Sequence, residues 1–195
     1  MSEPHASQEA STRAEQQLCG DALCTFEELP VRWTPQTLSA IASERLAEHA
    51  EGLLRTMALV EETFSDDPEE RGNTDLPMHR VEAKLQLLLE MVGTLLARQS
   101  DLPTTRTIRW SRLGLSLDAD QAAETDATGV VELQLLPWLP QLLSLPCRVL
   151  ACIAEGERHR VWLAFDPLSP ALEAALERHL FRRHRRAISA SRRQR

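Results

Sequence analysis

At Ser100-Asp-Leu-Pro103 the spacing of apolar residues along this chain changes. Before it, apolar residues recur at helical heptad spacing; after it, they alternate. A helix presents one stripe at about 3.6 residues per turn and a strand presents every second residue, so one element cannot serve both patterns. The chain is therefore expected to be α+β, with long helices ahead of a run of strands. The change falls within 195 residues, a length that suits one domain or one domain with an appendage and is enough to bury a core.

Thr34-Pro35 reads as an N-cap followed by a first-position proline, which predicts a helix running to Phe64. Within it Leu46, Leu53 and Val60 recur every seven residues, with Ala50, Met57 and Phe64 offset by four. Turn formers from Ser65 to Asp75 interrupt the pattern. A second helix is predicted from Pro77 to about Arg98, with Met78, Leu85 and Val92 at a positions and Val81, Leu88 and Leu95 at d positions. Leu87, Leu88, Leu89 and Met91 spread apolar surface over more than half of its circumference. That surface is covered either by a hairpin with the first helix or by copies of itself. The width favours self-association into a dimer or tetramer through Met78, Val81, Leu85, Leu88, Val92 and Leu95, because one partner helix leaves part of it bare.

Downstream, Thr105–Leu117, Gly129–Leu136, Leu145–Ala154 and His159–Phe165 read as strands joined by an acidic loop and short turns, which suggests an antiparallel barrel or sandwich. Leu23–Trp33 is a short extended piece that could add one more strand. Ser169-Pro170 announces a closing helix with Leu172, Leu176 and Leu180 on one face. The expected organisation is a disordered leader (1–22), a helical heptad-rich region (23–102), a barrel with its closing helix (103–188) and a basic tail (189–195).

Charge is distributed unevenly. Arg178–Arg195 holds eight arginines and no acid, so the remainder carries 14 basic against 29 acidic residues. Cations at a helix C-terminus are favoured by the macrodipole, and an acidic body repels a polyanion, so the segment argues for a solvated helix end and against a nucleic-acid tail. Four Trp and four Phe without Tyr leave few residues for base stacking. No apolar run is long enough to span a membrane and no apolar stretch follows a basic start, so membrane insertion is not expected and the expected location is the cytoplasm. The four cysteines, Cys19, Cys24, Cys147 and Cys152, lack zinc-knuckle spacing and are expected as free thiols. If Cys147 and Cys152 share a strand they face opposite sides. No metal, cofactor or catalytic constellation emerges: the six histidines have no ligand spacing, and no nucleophile elbow, Walker loop or dinucleotide fingerprint is present.

The segment that stands out is Arg106-Thr-Ile-Arg109-Trp-Ser111-Arg112-Leu-Gly114. A glycine inside a strand lets backbone approach a ligand closely, and guanidinium groups suit phosphate or guanine. Arg106, Arg109, Ser111, Arg112 and Gly114 are thus the nucleotide-binding candidates, joined by some of the C-terminal arginines.

Here the sequence resembles the PilZ family. Ser111 and Gly114 match the Ser-x-x-Gly of its strand motif, and Val131–Pro137, Arg148-Val-Leu, Val161–Leu168 and Leu180–Arg186 follow the family's order over about 105–188. The resemblance implies a six-stranded antiparallel barrel with a C-terminal helix, here with two long helices inserted before the barrel strands. It also implies a place in bacterial cyclic di-GMP signalling, with cyclic di-GMP as the candidate ligand. The sequence departs from the ligand motif: Arg109 stands where Asp or Asn is usual, and no Arg-x-x-x-Arg precedes the barrel. It is similar to variant members that carry helical heptads and self-associate. The expectation is an oligomerising adaptor with weak or no nucleotide binding and an unidentified protein partner. The alternatives are a genuine cyclic di-GMP receptor and, last, a nucleic-acid binder through the basic tail.

Overall fold

The computed structural model describes residues 3–64, 101–137 and 139–193 and, between these, 81, 84–85, 87–89, 91–93 and 95. The elements are α1 (Glu3–Cys19), β1 (Thr25–Pro35), α2 (Ala40–Phe64), β2 (Thr105–Ser111), β3 (Gly114–Ala119), β4 (Thr128–Leu133), β5 (Leu143–Glu155), β6 (Arg158–Phe165) and α3 (Pro170–Arg193). The six strands close into an antiparallel barrel in the order β1-β2-β3-β6-β5-β4.

Alternation along the strands fills the interior. Leu29, Val31, Ile108, Trp110, Leu115, Leu117, Val131, Leu133, Leu145, Val149, Val161 and Leu163 are buried in one cluster, as expected of a barrel too narrow to hold a channel. Ala50, Leu53, Leu54 and Met57 of α2 and Leu172, Leu176 and Leu180 of α3 belong to the same cluster. Ala50, Leu53 and Met57 of the α2 heptad stripe therefore face the barrel: any helix resting on a core shows nearly the same period as a coiled-coil seam.

β1 bonds β2 through Thr25–Pro30 and β4 through Val31–Pro35. Pro30, which has no N–H to donate, sits where the strand changes partner. From the same strand Glu27 turns inward to accept from Trp110 Nε1 at 3.2 Å and to pair with Arg183 of α3. Arg183 also donates to the Leu135 carbonyl, so one cation of the basic segment fastens the closing helix.

Several expectations are corrected. Residues read as a disordered leader form α1, because Ala14 and Leu18, four apart, give it a narrow buried edge against Ala151 and Trp162. Leu23–Trp33, read as a possible further strand, lies largely within β1, so the helical insertion follows the first barrel strand and does not precede them all. Thr34-Pro35 ends that strand, and the cap of α2 is Ser39, whose Oγ accepts the Ala42 N–H at 3.2 Å. The stretch 105–117 is a hairpin of two strands. The tail expected from 189 is a continuation of α3 to Arg193, whose start is capped by Ser169, as predicted, through the Leu172 N–H at 3.1 Å.

Cys19 and Cys24 are joined in a disulfide with Cα atoms 5.6 Å apart, in place of the expected free thiols. A bulge between Val149 and Ala151 shifts the register of β5. Ala151 then joins the outer cluster under α1, while Cys152, like Cys147, meets the barrel core. The expected opposite facing of these two cysteines fails because the extra residue reverses the alternation.

Removing a buried contact of α2 tests its attachment to the barrel. Leu54→Ala, at a residue 1% exposed, is expected to lower the unfolding free energy in urea by about 2–5 kcal/mol. Ile41→Ala, at 65% exposure, is expected to stay within about 0.5 kcal/mol.

Candidate functional site

The candidate nucleotide residues lie on the β2–β3 hairpin, where Ser111 and Gly114 pair across a two-residue turn made by Arg112 and Leu113. Ser111 is fully buried. Its Oγ accepts the Leu113 N–H at 3.0 Å and donates to the Leu18 carbonyl at 2.5 Å. That carbonyl is one of the last of α1, where carbonyls lack helical partners, so the serine both shapes the turn and caps the helix. Gly114 has φ of +158°, and a Cβ there would stand 2.1 Å from the Leu163 carbonyl oxygen and 2.6 Å from Leu18 Cδ2. Only a residue without Cβ lets β6 and α1 approach so closely.

Each candidate arginine is committed to a different acid. Arg109 points outward, its guanidinium 5.2 Å from the Phe26 ring centroid and paired with Glu15 of α1. The other oxygen of Glu15 accepts from Trp162 Nε1 at 2.7 Å. Arg106 reaches the rim of the barrel, where it bonds Asp120 at 2.5 Å and the Asp118 carbonyl at 2.9 Å. Arg106 holds the Asp120 carboxyl below its ordinary value by that hydrogen bond, and Asp120 raises Arg106 in return. Arg112, at the hairpin tip, pairs with Glu173 of α3 and lies 3.9 Å from Glu177.

The structure thus brings Arg109, Ser111 and Gly114 together under α1 and sends Arg106 and Arg112 elsewhere. Sequence reasoning missed Glu15, Leu18 and Trp162, which complete this surface. The one signal was the i, i+4 pair Ala14 and Leu18 inside an otherwise polar stretch.

A second surface lies on the helical residues between 81 and 95. Val81, Leu85, Leu88, Val92 and Leu95 are each 50–59% exposed, as are Leu87 and Met91. Met78, the remaining residue of the expected seam, and the turn segment 65–75 lie outside the described residues.

Residues 54–193 match the model of the family described as "Atypical PilZ domain, cyclic di-GMP receptor". The chain belongs to the PilZ family. A crystal structure of a pathogenic protein from Xanthomonas campestris, described as a tetrameric PilZ domain self-assembled through an unusual helical bundle, superposes with a TM-score of 0.75. It is 38% identical, and the alignment covers 93% of this chain and 98% of that one. No curated protein matches. No helix among the described residues of this PilZ protein is long and apolar enough to cross a membrane.

Two outcomes test this geometry. Gly114→Ala is expected to destabilise the PilZ barrel by about 1–3 kcal/mol in urea, because backbone of β6 must move. Cys147 is buried, and desolvation with help from the Asp166 charge pushes its thiol up to about 12. It is expected to resist iodoacetamide at pH 8 in the native state and to react once unfolded, read by mass spectrometry. A thiol held above its unfolded value binds its proton more tightly when folded, so its stabilisation is complete below the ordinary 9.0 and is lost as pH rises toward about 12.

Proposed function

We propose that this PilZ protein is an oligomerising adaptor that works through protein–protein contacts in bacterial cyclic di-GMP pathways, such as those governing motility, type IV pili or virulence, with weak or no nucleotide binding. The observation that carries the reading is the helix surface from Val81 to Leu95, where apolar side chains half exposed to solvent follow heptad positions. Copies of the same helix bury such a surface most economically. The description of the Xanthomonas campestris neighbour, a tetramer held by a helical bundle, agrees in kind, and a tetramer is the assembly proposed here.

Weak nucleotide binding is supported by the state of the candidate residues. A ligand at Arg109, Ser111 and Gly114 would have to displace Glu15 and Leu18, and Arg106 and Arg112 would have to leave Asp120 and Glu173. A receptor reading is favoured by one observation: an outward arginine, a serine and a close-approach glycine lie together on the hairpin beneath α1.

The test is mass in solution together with calorimetry. The native chain is expected to sediment as a tetramer at micromolar concentration, and Leu85→Glu with Leu88→Glu to sediment as a smaller species that keeps its far-ultraviolet spectrum. Titration with cyclic di-GMP is expected to give no dissociation constant tighter than about 10 μM, or roughly 7 kcal/mol. A monomeric wild type would overturn the assembly reading, and tight binding weakened by Arg109→Ala would establish the receptor.

A further inference from the structure

We propose that α1 is a redox-gated latch: the Cys19–Cys24 disulfide holds this helix on the barrel face formed by Arg109, Ser111, Gly114 and Trp162, and reduction of the bond releases it.

The contact beneath α1 is thin. Of its described side chains only Ala14 and Leu18 are buried, against Ala151 and Trp162. The polar grip is Glu15 on Arg109 and Trp162, and the Leu18 carbonyl on Ser111. A helix of 17 residues with so narrow an apolar edge is marginal without its support. Segments with few buried contacts belong to the low-stability end of a protein and open locally.

The disulfide acts at the end where the grip lies. It ties Cys19, the last residue of α1, to Cys24, the residue before β1, across a separation of five. Within that loop the Gly20 N–H donates to the Gln16 carbonyl at 2.8 Å and ends the helix. Closing the loop therefore restrains Leu18 next to Ser111 and Gly114. A clip of this length removes chain freedom from the undocked state and favours docking by roughly ten- to a hundredfold. Among the described cysteines the other two are free thiols in the barrel, one of them buried. A single disulfide beside free thiols, in a helix with a weak contact, fits a reversible bond better than a permanent staple.

The exchange balances with a dithiol as reductant. Its thiolate attacks one sulfur of the Cys19–Cys24 bond, forming a mixed disulfide while the other cysteine leaves as thiolate and takes a proton. The second reductant thiol then displaces the bound cysteine. Two electrons pass to the protein, two cysteine thiols result, and the reductant becomes a cyclic disulfide. Release exposes a guanidinium, a hydroxyl, an indole N–H and the apolar Ala151 on one face, a set of donors suited to an acidic ligand.

This inference goes beyond the adaptor reading and stands on the α1 contacts alone, so the test reads neither assembly nor nucleotide. Hydrogen exchange of the full chain is followed by mass spectrometry in the oxidised form and after excess dithiothreitol. Amides of residues 8–19 are expected to exchange about tenfold or more faster after reduction, with β4 unchanged. Cys19→Ser with Cys24→Ser is expected to match the reduced protein and to ignore dithiothreitol. Equal protection of α1 in the oxidised and reduced wild type would overturn the latch. So would a response of the double variant to dithiothreitol, since Cys147 or Cys152 would then be its source.

Discussion

Strand β1 closes this molecule. Without it the other strands form a sheet with two open edges, β2 and β4, and open edges leave rows of backbone groups unpaired. By bonding β2 with its first half and β4 with its second, β1 satisfies both edges and turns the sheet into a barrel. It also carries Glu27 inward to hold Trp110 and Arg183, so the seat of α3 depends on the same strand. β1 also joins two helices along the chain: α1 leads into it before Thr25 and α2 follows it after Pro35.

That attachment explains how a barrel tolerates a long helical insert. β1 and β2 are antiparallel neighbours with Pro30 opposite Thr105, so residues between Pro35 and Thr105 occupy the place of a hairpin loop. The entropic cost of a loop grows only with the logarithm of its length, and α2 offsets it by burying Ala50, Leu53, Leu54 and Met57 over the barrel. The insert can then carry a second apolar surface without any cost to barrel closure.

Much of this was legible in the sequence, and the failures share a physical cause. The change of period at Pro103, the strands around 129–165 and the Ser169 cap were readable because each rests on local chemistry: alternation, turn residues, a hydroxyl before a proline. The rest depended on contacts distant in sequence. Thr34-Pro35 is as good a strand end as a helix start until β4 is known to pair with it. The α2 stripe and a coiled-coil seam have nearly equal periods, and only the partner tells them apart. α1 is almost wholly polar, and its edge of Ala14 and Leu18 has meaning only against Trp162, more than a hundred residues away. The bulge at Leu150 is a one-residue event with no signature in composition, yet it decides which face Cys152 meets.

The arginines show how residues close together in sequence are parted by the fold. Arg106, Arg109 and Arg112 are three apart, and on a strand an odd spacing sends neighbours to opposite faces. With Ile108 and Trp110 inside the barrel, parity places Arg106 on the inner side at the rim and Arg109 on the outer surface. Arg112 falls at the hairpin tip beside α3. Three cations so arranged cannot converge on one phosphate without unpairing the strands that hold them. Each instead meets a carboxylate from another element: Asp120 from the loop after β3, Glu15 from α1, Glu173 from α3. These pairs are partly exposed, and such pairs add little stability individually. What they supply is direction, since each fixes one separate element, a loop or a helix, at one place on the barrel. The acidic excess of the body and the basic residues of the hairpin are in this sense one device, in which charge orients the helices that hydrophobic burial alone would leave free to slide.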